Sequence, residues 1–164
     1  MRAFIGIKPD GCLADLIAIQ NDLKQQTKAN FTKPDNLHIT LFFLGEIDEG
    51  QTQKIKRLFQ NFSFPRFSLE INAITNFREM IIATLSPSLA LKQLHKKLGD
   101  CLMRDGFLLE NRPYFAHLTL ARKTDYVVNK AVLLTTTVEN IVLFASERQE
   151  TGLVYRRIVD VKLN

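Results

Sequence analysis

Two of the three histidines in this chain stand in the same setting, His38-Ile39-Thr40-Leu41 and His117-Leu118-Thr119-Leu120. One His-x-Thr is worthless as a signal. Two of three histidines followed by x-Thr-hydrophobic arise by chance at a rate of roughly 0.3%. Imidazole titrates near neutral pH, so one neutral ring can accept a proton while a second, protonated ring gives one up. A threonine hydroxyl can donate to an anionic oxygen or hold an imidazole in orientation. Such a set suits in-line displacement at phosphorus, where one side needs a base and the other an acid. This chemistry calls for no metal, and His95 sits on a helix distant in sequence. For either motif alone the plain alternative is a strand histidine bonded to backbone, with threonine present for its β propensity. The pair on repeated elements argues against that.

The elements that would position these residues repeat as well. The apolar run Ala3–Ile7 reads as a buried strand, followed by an Asp10-Gly11 turn and helical spacing from Leu13 to about Lys28. After the break at Pro34-Asp35-Asn36, residues 37–44 read as a strand carrying the first motif. A helix fits 48–61, and Phe67–Ile71 alternates as a half-buried strand. The second half restarts with a strand over Met80–Leu85 and a helix opened by Ser86-Pro87-Ser88, closing at Asp105-Gly106. A strand over 115–121 follows the Arg112-Pro113 break and carries the second motif, and strands over 138–146 and 153–161 end the chain. Phe4 to His38 and Ile82 to His117 enclose nearly equal lengths of chain, each with one helix between. The pattern predicts an α+β fold of two similar lobes within a single domain over residues 1–164. In a strand, alternate side chains share a face, so each histidine points with its threonine into a common groove if the two strands lie side by side.

The segments Asn36–Glu46 (NLHITLFFLGE) and Arg112–Arg122 (RPYFAHLTLAR) resemble the two motifs of the RNA 2′,3′-cyclic phosphodiesterases. That family, also called the 2′-5′ RNA ligase family, belongs to the two-histidine phosphoesterases. The opening Arg2-Ala3-Phe4-Ile5, the Leu94-His95-x-x-Leu98 helix and the Ser146…Gly152…Tyr155 stretch fit its layout too. The resemblance implies a bilobal, pseudo-twofold fold, with two antiparallel sheets flanking a central groove and helices outside. It implies hydrolysis of an RNA 2′,3′-cyclic phosphate end to a 2′-phosphate, with reversible 2′-5′ RNA ligation as an accompanying activity. By the match His38 is the proton donor and His117 the acceptor, with Thr40 and Thr119 on the phosphate. Arg122 corresponds to an arginine near the phosphate, and its guanidinium fork suits an oxyanion. Phe43 corresponds to an aromatic that stacks on the terminal base. Strict alternation would put Phe42 there instead, so the strand must twist or bulge. The chain departs from the family pattern at Ala116, where proline is usual, and around Asn76–Met80, which is shortened; it has no Trp. Two other readings stay open: a phosphodiesterase for 2′-5′ linkages or small cyclic nucleotides, and a non-catalytic module that binds RNA ends.

Composition bounds the rest. With 164 residues, 46% hydrophobic and 24% charged, the chain can bury one core without staples. Its net charge of +5 favours anionic partners. Cys12 and Cys101, far apart and without a CxxC or Cys/His cluster, read as reduced structural thiols, and no apolar run reaches membrane length. A cytoplasmic monomer without cofactor or metal is expected, its partner an RNA with a 2′,3′-cyclic phosphate end such as a tRNA fragment. Lys92, Lys96 and Lys97 on one helix, and Lys54, Lys56 and Arg57 on another, read as solvated faces, and His95 as a surface or packing residue. No Gly-rich phosphate loop or Walker-type motif occurs, which argues against nucleoside triphosphate chemistry.

Overall fold

The computed structural model describes all 164 residues. The chain runs β1 (Arg2–Ile7), α1 (Leu13–Gln26), β2 (Asn30–Phe31), β3 (Ile39–Glu46), α2 (Glu49–Asn61), β4 (Phe67–Phe77), β5 (Met80–Leu85), α3 (Leu89–Arg104), β6 (His117–Arg122), β7 (Asn129–Val138), β8 (Asn140–Gln149) and β9 (Gly152–Lys162). Eight strands form one path, β7-β4-β5-β6-β3-β1-β8-β9, and β2 adds to β6. Every neighbouring pair is antiparallel. Four strands lie on each side of a central β6/β3 seam, and the order of events is the same on both. In one half α1 links neighbours β1 and β3; in the other α3 links neighbours β5 and β6. The two sheets expected of the lobes are thus joined edge to edge, through the single register pair Ile39↔Leu118.

The helices pack against one face of this curled sheet. Leu16 and Leu23 of α1, Ile55, Leu58 and Phe59 of α2, and Leu91, Leu94, Leu98 and Leu102 of α3 join strand residues such as Ile5, Ile39, Ile71 and Leu118 in one cluster of 31 buried residues. Burying each such side chain stabilises the fold by about 1.5–3 kcal/mol before chain entropy is charged against it. Capping fixes where two helices start. The Asp48 carboxylate accepts from the Gln51 N–H while the Gln51 side chain accepts from the Asp48 N–H. At α3 the Ser88 hydroxyl accepts from the Leu91 N–H, so Pro87 precedes the cap rather than following it. No helix is long and apolar enough to cross a membrane.

The sequence reading omits β7 altogether. Its buried positions from Val132 onward alternate, but one of them is Thr136 rather than an aliphatic residue. The Thr136 hydroxyl is satisfied by the Gly11 N–H at 3.1 Å, a partner 125 residues away that no local pattern reveals. The strand predicted over 138–146 is therefore two: Val138 closes β7 and Asn140 opens β8.

Candidate active site

The register at the seam decides which side chains meet. Ile39 and Leu118 are opposite one another and both fully buried on the helix side. Continuing that antiparallel register places His38 across from Thr119 and Thr40 across from His117, all four on the other face of the sheet. Each imidazole thus stands next to the threonine of the other motif as well as its own.

Both rings are anchored in the same way. His38 Nδ1 lies 2.7 Å from the Asn36 carbonyl and His117 Nδ1 lies 2.9 Å from the Phe115 carbonyl, in each case two residues upstream. A carbonyl can only accept, so Nδ1 carries the hydrogen and Nε2 is left to exchange protons. His38 Nε2 reaches the Thr40 hydroxyl at 2.9 Å. Phe4 lies at 4.6 Å from the His38 ring centroid and Tyr155 at 5.2 Å, edge-on. Burial among them pulls the His38 pKa down to about 4; the Asn36 carbonyl opposes this, and the positive charges of Lys8, Arg122 and His117 add to it. Gly6 is required beside it: a Cβ there would stand 2.9 Å from the Ile39 carbonyl and 3.5 Å from His38 Cδ2.

A bulge follows each histidine at the same offset. In β3 the pairing jumps from Gly6↔Thr40 to Ile5↔Phe42, leaving Leu41 extra. In β6 it jumps from Ile82↔Thr119 to Ile81↔Ala121, leaving Leu120 extra. One extra residue reverses the alternation. The fifth residue after each histidine, Phe43 and Arg122, therefore joins the histidine face, and Phe42 and Ala121 leave it. Phe43 is 58% exposed, with its ring 6.3 Å from Phe4, the neighbour of His38. The Arg122 guanidinium rests against Met80 Sδ at 3.2 Å. Phe42 turns instead to α3 and stacks on His95 at 4.3 Å.

Polar side chains of two helices reach the bulge carbonyls, and the Leu120 carbonyl also accepts from the Thr32 N–H at 3.0 Å. Gln20 of α1, 2% exposed, donates to the Leu120 carbonyl at 3.0 Å and to the Thr32 carbonyl at 2.8 Å. On the other side the His95 ring of α3 stands beside the Leu41 carbonyl; burial keeps the ring below its ordinary pKa, outweighing that carbonyl, which raises it. The sequence reading took His95 as a surface or packing residue, which its stacking bears out, but set it apart from the site whose groove it lines. Its ring is in fact held between Phe42 and Tyr114, and the Tyr114 hydroxyl donates to the Thr40 carbonyl at 2.7 Å. The Leu94-His95 helix could have given a signal only if its phase had been compared with Gln20 on α1.

Thr40, Phe43, His95, Tyr114, Phe115, His117, Thr119 and Arg122 line a groove of about 460 Å³, with Phe77, Arg78 and Met80 of the β4–β5 hairpin on its rim. His38 sits behind Thr40, enclosed by Phe4 and Tyr155. The lysine clusters on α2 and α3 lie outside the groove. Their ammonium groups bond locally, Lys96 to Asp100 and Lys97 to the Ser63 carbonyl. Both cysteines are free, and burial pushes the Cys12 thiol up to about 11.

Comparison with known proteins agrees with this architecture. The LigT-like phosphoesterase family model matches residues 5–80. The RNA 2′,3′-cyclic phosphodiesterase of Bacillus subtilis is 30% identical over 128 residues, covering 73% of this chain and 70% of that protein. The protein of the same name from Thermotoga maritima is 28% identical over 142 residues, covering 77% and 72%. Among solved structures, Escherichia coli LigT in its apo form superposes with a TM-score of 0.83 at 25% identity, over 99% of this chain and 96% of that one. A Thermus thermophilus protein reaches a TM-score of 0.88 at 22% identity, over 99% and 97%. By the Bacillus relative's identity and coverage, with the sheet shared throughout, the chain belongs to the LigT-like phosphoesterases.

Proposed function

We propose that the protein hydrolyses the 2′,3′-cyclic phosphate end of RNA to a 2′-phosphomonoester by proton transfer between His38 and His117, without metal or cofactor. The observation that carries this reading is the seam. Its register puts two imidazoles and two threonine hydroxyls on one sheet face, both Nδ1 atoms tied to carbonyls and His38 Nε2 to the Thr40 hydroxyl, with Arg122 on the same face. The relatives named above supply the substrate class. In this scheme His117 takes a proton from the attacking water while His38 donates one to the departing 3′ oxygen. Thr40 and Thr119 hold the non-bridging oxygens, Arg122 neutralises charge on phosphorus, and Phe43 stacks on the terminal base. With a 5′-hydroxyl attacking in place of water, the same groups open the cyclic phosphate at its 3′ oxygen and form a 2′-5′ phosphodiester, which is 2′-5′ ligation.

One observation favours the two histidines exchanging roles. Burial keeps the free His38 ring neutral at neutral pH, which is the state of a base. In the first scheme the bound phosphate anion must restore the proton. A 3′-thio leaving group separates the two, because it departs without an acid. With that substrate the alanine variant at the acid position recovers its rate, and the variant at the base position does not. On the natural oxygen substrate each His→Ala change should lower kcat by about 10²–10⁴-fold, with turnover unaffected by excess chelator. Wild-type-like turnover by both variants would remove the proposal, as would a product carrying its phosphate on the 3′ oxygen.

A further inference from the structure

The groove carries more aromatic surface than one nucleoside can use. Phe43 stands on the His38 side. On the His117 side Phe77 and Phe115 sit with ring centroids 5.2 Å apart, and Phe115 lies nearly parallel to the His117 ring at 4.8 Å. Phe77 is 36% and Phe115 46% exposed, and both line the groove. The β4–β5 hairpin turns tightly at Arg78, whose φ is +55°, and this brings its guanidinium over the Phe77 ring at 5.1 Å. Exposed aromatic faces beside an arginine are the surface on which a nucleobase of single-stranded RNA stacks, with little regard to its identity.

We propose that Phe77, Phe115 and Arg78 form a second nucleobase subsite, which receives the base adjoining the terminal one. The preferred substrate is then an RNA strand of at least two nucleotides rather than a free cyclic mononucleotide. This rests on the function proposed above and specifies its substrate. A terminal nucleoside with its phosphate between the histidines brings one base, and Phe43 takes it. The rest of the strand leaves through the 5′ oxygen of that nucleoside, and its first base lands on the wall still free. Charge agrees with a strand in the groove. Arg112 is paired with Glu110 at 2.7 Å, whereas Arg78 and Arg122 have no carboxylate partner and are free for phosphates.

The test compares three substrates: a dinucleotide ending in a 2′,3′-cyclic phosphate, the same dinucleotide with an abasic 5′ ribose, and a 2′,3′-cyclic mononucleotide. For the wild type, kcat/KM for the intact dinucleotide should exceed that for the abasic one by about tenfold or more, the scale of one base–aromatic stack. In Phe77→Leu the two dinucleotides should converge to within about twofold, since Leu keeps the apolar bulk but not the flat face. Equal rates on intact and abasic dinucleotides by the wild type would overturn the subsite, and so would an unchanged gap in Phe77→Leu. The abasic comparison needs no variant, so it decides even if Phe77→Leu fails to fold. Hydrolysis of none of the three substrates would instead overturn the proposed function, and the subsite with it.

Discussion

His38 should make the fold lose stability as the solution turns acidic, by an amount its burial sets. Its pKa falls from an ordinary 6.5 in the unfolded chain to about 4 in the folded protein, mainly because Phe4, Tyr155 and the sheet exclude water from the ring. Between those two values the unfolded chain binds the proton and the folded protein does not. Stability is therefore fully present above pH 6.5, declines as pH falls through that value, and levels off below about pH 4. Each unit of difference corresponds to about 1.4 kcal/mol, so the complete loss is about 3.5 kcal/mol, with about 2 kcal/mol of it gone by pH 5. Urea denaturation at intervals from pH 7.5 to pH 4.5 measures this directly, on the wild type and on His38→Gln. The variant keeps a polar side chain but cannot take the proton. Its absolute stability will differ, but only the change with pH matters. His95 and the carboxylates titrate in both proteins and cancel in the comparison. The wild-type curve should fall more steeply, the two diverging by about 2 kcal/mol at pH 5 relative to pH 7.5. Parallel curves would refute the reasoning, because they would mean that His38 is protonated in the folded protein as readily as in the unfolded chain.

The bulge carbonyls give a second expectation. Gln20→Leu removes the side-chain donor to the Leu120 and Thr32 carbonyls and should cost about 1–3 kcal/mol in chemical denaturation. His95→Leu removes the ring stacked between Phe42 and Tyr114 and should destabilise in the same assay. Tyr114→Phe removes the 2.7 Å bond to the Thr40 carbonyl and should cost about 1 kcal/mol, and by loosening Thr40 it should lower kcat more than it changes KM. At the seam, Leu118→Ala deletes a fully buried side chain opposite Ile39 and should destabilise by about 2–5 kcal/mol, measured by thermal or urea unfolding.

Much of the frame was readable from the residues themselves. Helix faces such as Ile55, Leu58 and Phe59, the strand at Met80–Leu85, and the breaks at Pro34 and Pro113 are all local signals, and the matched spacing of the two motifs carried the two-lobed plan. What stayed hidden depends on partners remote in sequence. β7 is absent from the sequence reading, and its buried Thr136 is tied to Gly11, 125 residues away. His95 reads as a lone helix histidine until Phe42, Tyr114 and the Leu41 carbonyl are placed around it. Nothing within a few residues of either one reports those contacts.

The bulges are the most instructive case, because the sequence poses the question and only the sheet answers it. Two-residue alternation from His38 assigns Phe42 to the groove, and from His117 it assigns Ala121. Leu41 and Leu120 each occupy one extra position, so Phe42–Phe43 and Ala121–Arg122 change face; in β3 a second extra residue, Leu44, restores the alternation before Gly45. A bulge releases one carbonyl from the ladder, and an unpaired carbonyl in this core would cost as much as a lost hydrogen bond. At Leu120 the carbonyl accepts from the Thr32 N–H and from the Gln20 side chain of α1, which reaches across the seam, and at Leu41 the His95 ring of α3 stands beside the carbonyl. The polar residues on the buried faces of α1 and α3 and the exposure of Phe43 and Arg122 are therefore one arrangement. Without the extra residues Leu41 and Leu120, the aromatic and the guanidinium would turn away from the groove while the histidines stay.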